Sequence, residues 1–160
     1  MTRLPAAYWL LGLCAAWLLP GLIGHAPWKG PDAETFARLL SARAQAGWLF
    51  PAPTADGAGV FPLYFWLAQA SAALFSPFLP LHDAARLASG LFVALALWLT
   101  ALAARRLYGA QTGWLAALAL LGCMGLLVPA HETNPYTAQL AAAGLFVYGL
   151  ARMLQQPLAG

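Results

Sequence analysis

Five apolar runs set what this chain can fold into: Pro5–Ile23, Phe61–Leu81, Leu87–Ala104, Trp114–Ala130 and Tyr136–Ala151. A membrane-crossing helix needs about 20 mostly apolar residues, so each run is a candidate span. Charge is scarce to match. The 160 residues hold 8 Lys and Arg and 5 Asp and Glu, 8% of the chain, against about 25% in a soluble domain. The sequence therefore reads as an all-α, polytopic membrane protein. No basic cluster is interleaved with aromatics, so no nucleic-acid partner is expected. Cys14 and Cys123 lie inside apolar runs and read as small hydrophobes, with no metal spacing and no disulfide framework.

Arg3 followed by the apolar stretch Leu4–Ile23 has the outline of a signal peptide. The apolar stretch is long for one, and no small-x-small cleavage site precedes His25, so it reads as a retained anchor with a cytoplasmic N-terminus. Charge then decides how many runs cross. Five crossings would put Arg105, Arg106 and Arg152 outside, against the positive-inside rule. If Phe61–Leu81 does not cross, Arg3, Arg105, Arg106 and Arg152 all face the cytoplasm. All five acids, Asp32, Glu34, Asp56, Asp83 and Glu132, then lie on the outer face. Four spans is the count that fits. The skipped run carries Pro62, Pro77 and Pro80 and is rich in aromatics, as a segment lying in the interface would be.

Four crossings leave a long first outer loop, residues 24–83, and a short second one, His131-Glu132-Thr133-Asn134-Pro135. In the first loop, Asp32–Ala46 reads as an amphipathic helix with Ala33, Phe36, Ala37, Leu40 and Ala44 on its apolar face. Glu34 and Arg38 form an i,i+4 pair on the other face.

The residues able to carry chemistry gather on that outer side. Asp32 and Glu34 open a helix just outside the membrane. Each has a structural reading, as helix cap or dipole complement, and a functional one, as a base or metal ligand at the lipid boundary. His131 and Glu132 form a second polar pair, able to share a proton or contribute to a metal site. Arg86 either pairs with Asp83 or holds a lipid phosphate in its guanidinium fork. Lys29 has the same two readings. His25 and His82 read as interfacial. The pattern points to an outward-facing site for something polar attached to a lipid, and it leaves the reaction unspecified.

Several short motifs carry a family resemblance. They are Pro31-Asp32-Ala33-Glu34-Thr35-Phe36-Ala37, Phe61-Pro62-Leu63-Tyr64-Phe65-Trp66, Ala85-Arg86-Leu87, Arg105-Arg106-Leu107-Tyr108-Gly109 and Asn134-Pro135. In this order the chain resembles the N-terminal part of the GT-C-fold glycosyltransferases, among them the relatives of the lipid A aminoarabinose transferase and the protein O-mannosyltransferases. The resemblance implies a GT-C-like module, residues 1–160, of about four transmembrane helices with juxtamembrane helices in the first outer loop. It also implies that such enzymes continue well beyond four spans, so the chain is expected to be an N-terminal portion.

The function implied is transfer of a sugar from a polyprenyl-phosphate donor to a lipid or protein acceptor, at the outer face of the bacterial inner membrane. Asp32 matches the family's catalytic aspartate, with Glu34, Glu132 and Asn134 as further catalytic candidates. Lys29 and Arg86 are candidates for the donor phosphate, and His131 for a divalent metal. Three departures stand out: Ala33 where a second acid is usual, Phe61 where many relatives have Lys, and Asn134 where the family has Asp. The rival expectation is a non-catalytic membrane module, such as a lipid-binding or assembly subunit.

Overall fold

The computed structural model describes residues 6–27, 30–44 and 62–155. Lys29, Asp56 and Phe61 lie outside the described residues. Seven helices account for the ordered elements among them, with no strand: α1 Ala6–Leu18, α2 Pro31–Ala44, α3 Pro62–Phe75, α4 Leu81–Tyr108, α5 Thr112–Leu121, α6 Met124–Ala130 and α7 Tyr136–Gln155. The all-α membrane class read from the sequence is the one observed.

The long helix α4 is the axis of the bundle. At 28 residues it is roughly 42 Å long, and α3, α5, α6 and α7 all pack on it. Its buried face is built largely from small residues, Ala84, Ala85, Ala88, Ser89, Gly90, Ala96 and Ala103. Small side chains let neighbouring backbones approach, which is how helices associate where lipid removes the usual hydrophobic drive. At Gly144 a Cβ would sit 3.3 Å from Leu99 Cβ, so α7 lies close against α4.

α7 runs parallel to α4: Asn134 meets Ser89 at one end, and Gln155 donates to the Arg106 carbonyl at the other. The Ser76–Pro80 turn folds α3 back antiparallel along α4, so that Tyr64 stacks on Phe92. The outward side chains are apolar too, among them Trp9, Leu11, Trp98, Phe146 and Leu154, as suits a lipid solvent.

Among the described residues two helices, α4 and α7, are long and apolar enough to cross a membrane, and α5 with α6 makes a third if that bent pair is one span. The run Trp114–Ala130, expected as one span, is broken by 73°. Gly122 closes α5, Cys123 adopts an extended conformation, and Pro129 sits inside α6. The described part of α1 has 13 helical residues, roughly 20 Å, fewer than a span needs. α3, at 14 residues, is likewise too short to cross alone, and it packs lengthwise on α4 instead of standing apart from the bundle.

The amphipathic helix expected at 32–46 is present as α2, but its buried face is different. Asp32, Thr35, Leu39 and Ala42 point inward, whereas Ala37, Leu40 and Ala44 are exposed. Apolar periodicity misplaces the face because a buried ion pair at Asp32, not the alanines, decides how α2 is rotated. Cys123, read as a buried small hydrophobe, is exposed, and Cys14 is half-buried.

Candidate active site

One end of the bundle holds a polar cluster that apolar packing alone cannot explain. Asp32, Asp83, Arg86, Ser89, Thr133, Asn134 and Thr137 are all buried there. Charges without water survive only when paired and hydrogen-bonded, and the cluster supplies partners for both Nη groups of Arg86, though not for its buried Nε.

Arg86, one turn into α4, is its centre. Its Nη2 donates to Asp32 Oδ2 at 2.9 Å, and its Nη1 donates to Asp83 Oδ1 at 2.9 Å and to the His25 carbonyl at 2.6 Å. Both the arginine and Asp32 are 0% exposed. Removing one partner from such a pair costs about 3–5 kcal/mol, because the other charge is stranded. The cluster therefore fixes where α2 sits against α4.

Asp32 is held from a third direction. The Thr133 N–H donates to Asp32 Oδ1 at 2.8 Å, and the Thr133 hydroxyl lies against the same Oδ1 and 2.9 Å from the Asp32 carbonyl. Residues 101 positions apart are thus bonded through both backbone and side chain. Asp83 reaches the other way, its Oδ2 accepting the Gly24 N–H at 3.0 Å. The exit of α1, the start of α2, the start of α4 and the α6–α7 turn converge on one point.

Behind this lies a second polar chain. Tyr64 and Ser89 hydroxyls are 2.8 Å apart, and Ser89 Oγ accepts the Asn134 N–H at 3.1 Å. Burial pushes the Tyr64 hydroxyl up, and its bond to Ser89 opposes this only in part, so it stays neutral. The Asn134 side chain accepts the Tyr136 N–H at 3.0 Å, and its carbonyl accepts the Thr137 hydroxyl. Asn at this place opens α7, a capping task that suits a carboxamide.

Glu132 is half-buried beside this cluster and faces a cavity of about 310 Å³, shared with His25, Leu127, Val128 and His131. Burial raises its carboxyl above the ordinary glutamate value, and the Asp32 charge adds to the rise, opposed by Arg86 and His25. Both ring nitrogens of His131 lie against carbonyl oxygens, Leu127 at 2.7 Å and Trp17 at 3.1 Å. Among the described residues no three His, Cys, Asp or Glu side chains come together to hold a metal ion.

The sequence-predicted residues divide accordingly. Asp32, Arg86, Glu132 and Asn134 come together. Glu34 does not: it points to solvent and faces Arg38 at 3.9 Å. Lys29 lies outside the described residues. Arg86 is buried, its two Nη groups on Asp32, Asp83 and the His25 carbonyl. Thr133, Ser89, Tyr64 and Thr137 were missed, since hydroxyl residues within or beside apolar runs carry little sequence signal.

The model of the dolichyl-phosphate-mannose-protein mannosyltransferase family matches residues 56–159, more than half of the chain. The chain belongs to this family. Its GT-C-type members are membrane glycosyltransferases, and the resemblance read from short motifs is the relationship found. The matched stretch carries Asp83, Arg86, Ser89, Glu132 and Asn134, and it begins after Asp32. Asp32 joins the family's region through its bonds to Arg86 and Thr133. Neither a curated protein nor a solved structure matches the chain.

Proposed function

We propose that this chain forms the acceptor-activating part of a transferase that moves a sugar from a polyprenyl-phosphate donor to a lipid or protein acceptor. The reaction would take place at the outer face of a bacterial inner membrane. The observation that carries this reading is the buried Asp32, oriented at once by Arg86 and Thr133. An aspartate fixed in this way is prepared to orient an acceptor and take its proton as the anomeric carbon–oxygen bond to phosphate breaks. The Thr133 hydroxyl, seated against Asp32 Oδ1, occupies the kind of position an acceptor hydroxyl would need. Glu132, with its raised carboxyl and its cavity, is the partly exposed group beside it.

Membrane topology supports the outer-face assignment. Gly24 and Asp83 are hydrogen-bonded, so the exit of α1 and the entry of α4 lie side by side. This supports an even number of crossings between them and counts against a single crossing by Phe61–Leu81. Arg105 and Arg106 lie at the far end of α4, and Arg152 lies near the matching end of the parallel α7. That arrangement agrees with a cytoplasmic far end and an outer site.

One observation favours a second reading. Both oxygens of Asp32 are bonded and the side chain has no exposed surface, which also suits a latch in a non-catalytic membrane module. Turnover of a radiolabelled polyprenyl-phosphate sugar by membranes containing the full-length protein separates the two. Movement of label out of the donor pool supports the transferase. A donor pool that stays intact with every acceptor fraction tried supports the module.

A further inference from the structure

We infer that Asp83 is a positioning residue for the transfer reaction: by taking one arm of the Arg86 guanidinium, it keeps that group from closing on Asp32. The inference rests on Asp32 being the acceptor-activating carboxylate, as proposed above. An arginine facing one carboxylate usually makes two parallel bonds to it, the strongest form of the pair. A carboxylate gripped in that way is a poor base, because the adjacent cation favours its charged form.

Here the fork is split. Nη2 goes to Asp32 Oδ2 and Nη1 goes to Asp83 Oδ1, each at 2.9 Å. Asp32 Oδ1 is thereby left to Thr133 and not to the guanidinium. Among the described residues the Arg86 guanidinium is shared between these two buried carboxylates, so it leaves part of their charge unbalanced. That charge is what a base needs to retain.

Asp83 is itself held for this task. Its Oδ2 accepts the Gly24 N–H, and its Oδ1 lies 3.4 Å from His82 Nε2. Among the described residues, the ionisable groups around Asp32 are Asp83, Arg86 and His82 from α4, Tyr64 from α3, His25 from the exit of α1, and Glu132 from the α6–α7 turn. Glu34, on Asp32's own helix, points away to solvent. Among these, Asp83 alone combines burial with a direct bond to the group that grips Asp32.

A purely structural role would have Asp83 do no more than staple Gly24 to α4. Asp83→Asn tells the two apart, since the carboxamide oxygen still accepts the Gly24 N–H while the charge is gone. In the full-length protein reconstituted in vesicles, Asp83→Asn is expected to lower kcat about tenfold and change the donor KM less than about twofold. The acid limb of the kcat–pH profile is expected to move to lower pH, because Arg86 then acts on Asp32 alone.

Wild-type kcat and an unmoved acid limb in Asp83→Asn, beside an inactive Asp32→Asn, would overturn the role of Asp83 and leave Asp32 standing. Full activity in Asp32→Asn would instead remove the reading on which the inference rests. If Asp83→Asn does not accumulate in the membrane, Asp83→Gln takes its place, its longer side chain keeping an uncharged acceptor oxygen for Gly24, with the same two outcomes.

Discussion

At the scale of single residues, the site is an exercise in keeping charge without water. Arg86 is stable in the bundle because two carboxylates and a carbonyl surround it, and Asp32 because Arg86 and Thr133 take both its oxygens. Glu132 stands apart, with a raised carboxyl caused first by burial and then by Asp32. A glutamate raised in this way is still protonated where an ordinary one is ionised. Its contribution to stability is present at low pH and is lost as pH rises through the raised value. A hydrophobic carbodiimide, which attacks protonated carboxyls, is expected to label Glu132 at pH values above the ordinary glutamate range. Mass spectrometry of the labelled peptide checks this: Glu132→Gln abolishes the adduct, and Asp32→Asn lowers the pH up to which it forms. The ionised members of this cluster were legible in the sequence because acids and arginines are rare in an apolar chain. Thr133, Ser89 and Tyr64 were not, because their role exists only through partners 25 to 101 residues away.

At the scale of elements, close packing and helix breaks decide what the apolar runs become. The turn from α4 to α5 is tight. Gly109 adopts φ 103°, a left-handed conformation that suits glycine, and the Thr112 hydroxyl donates to the Ala104 carbonyl at 2.8 Å. At Gly113 a Cβ would come within 2.8 Å of the Ala101 carbonyl oxygen and 2.4 Å of Arg105 Cγ. Gly113→Val is therefore expected to pry α5 from α4 and destabilise the bundle by about 1–3 kcal/mol, read as a lowered unfolding temperature in detergent. Gly12→Ala, where a Cβ meets nothing within 4 Å, serves as the neutral comparison. Run length and hydropathy anticipated α4 and α7 well. They did not anticipate the bend between α5 and α6, since Gly122 and Cys123 look like ordinary members of an apolar run. Nor did they anticipate the rotation of α2, because periodicity weighs alanines and leucines while one buried aspartate sets the face.

At the scale of the whole molecule, the charged side chains among the described residues lie at opposite ends of a bundle whose outer surface is apolar. Of the four spans expected from the charges, α4, α7 and the bent α5–α6 pair, taken as one span, are long and apolar enough to cross among the described residues. The arrangement is open to direct test in a background free of Cys14 and Cys123. Glu34→Cys is expected to react with a membrane-impermeant thiol reagent added outside the cell, and Tyr108→Cys only after the membrane is opened. Both positions are exposed, so labelling of Tyr108→Cys from outside would reverse the topology. Sugar transfer through Asp32 is the proposed role that everything above depends on. Its most direct test compares wild type with Asp32→Asn in the full-length protein, following radiolabelled sugar from polyprenyl phosphate to acceptor, with membrane content matched by immunoblot. Asp32→Asn is expected to insert normally and to lose transfer to background. Transfer at the wild-type rate would contradict that role.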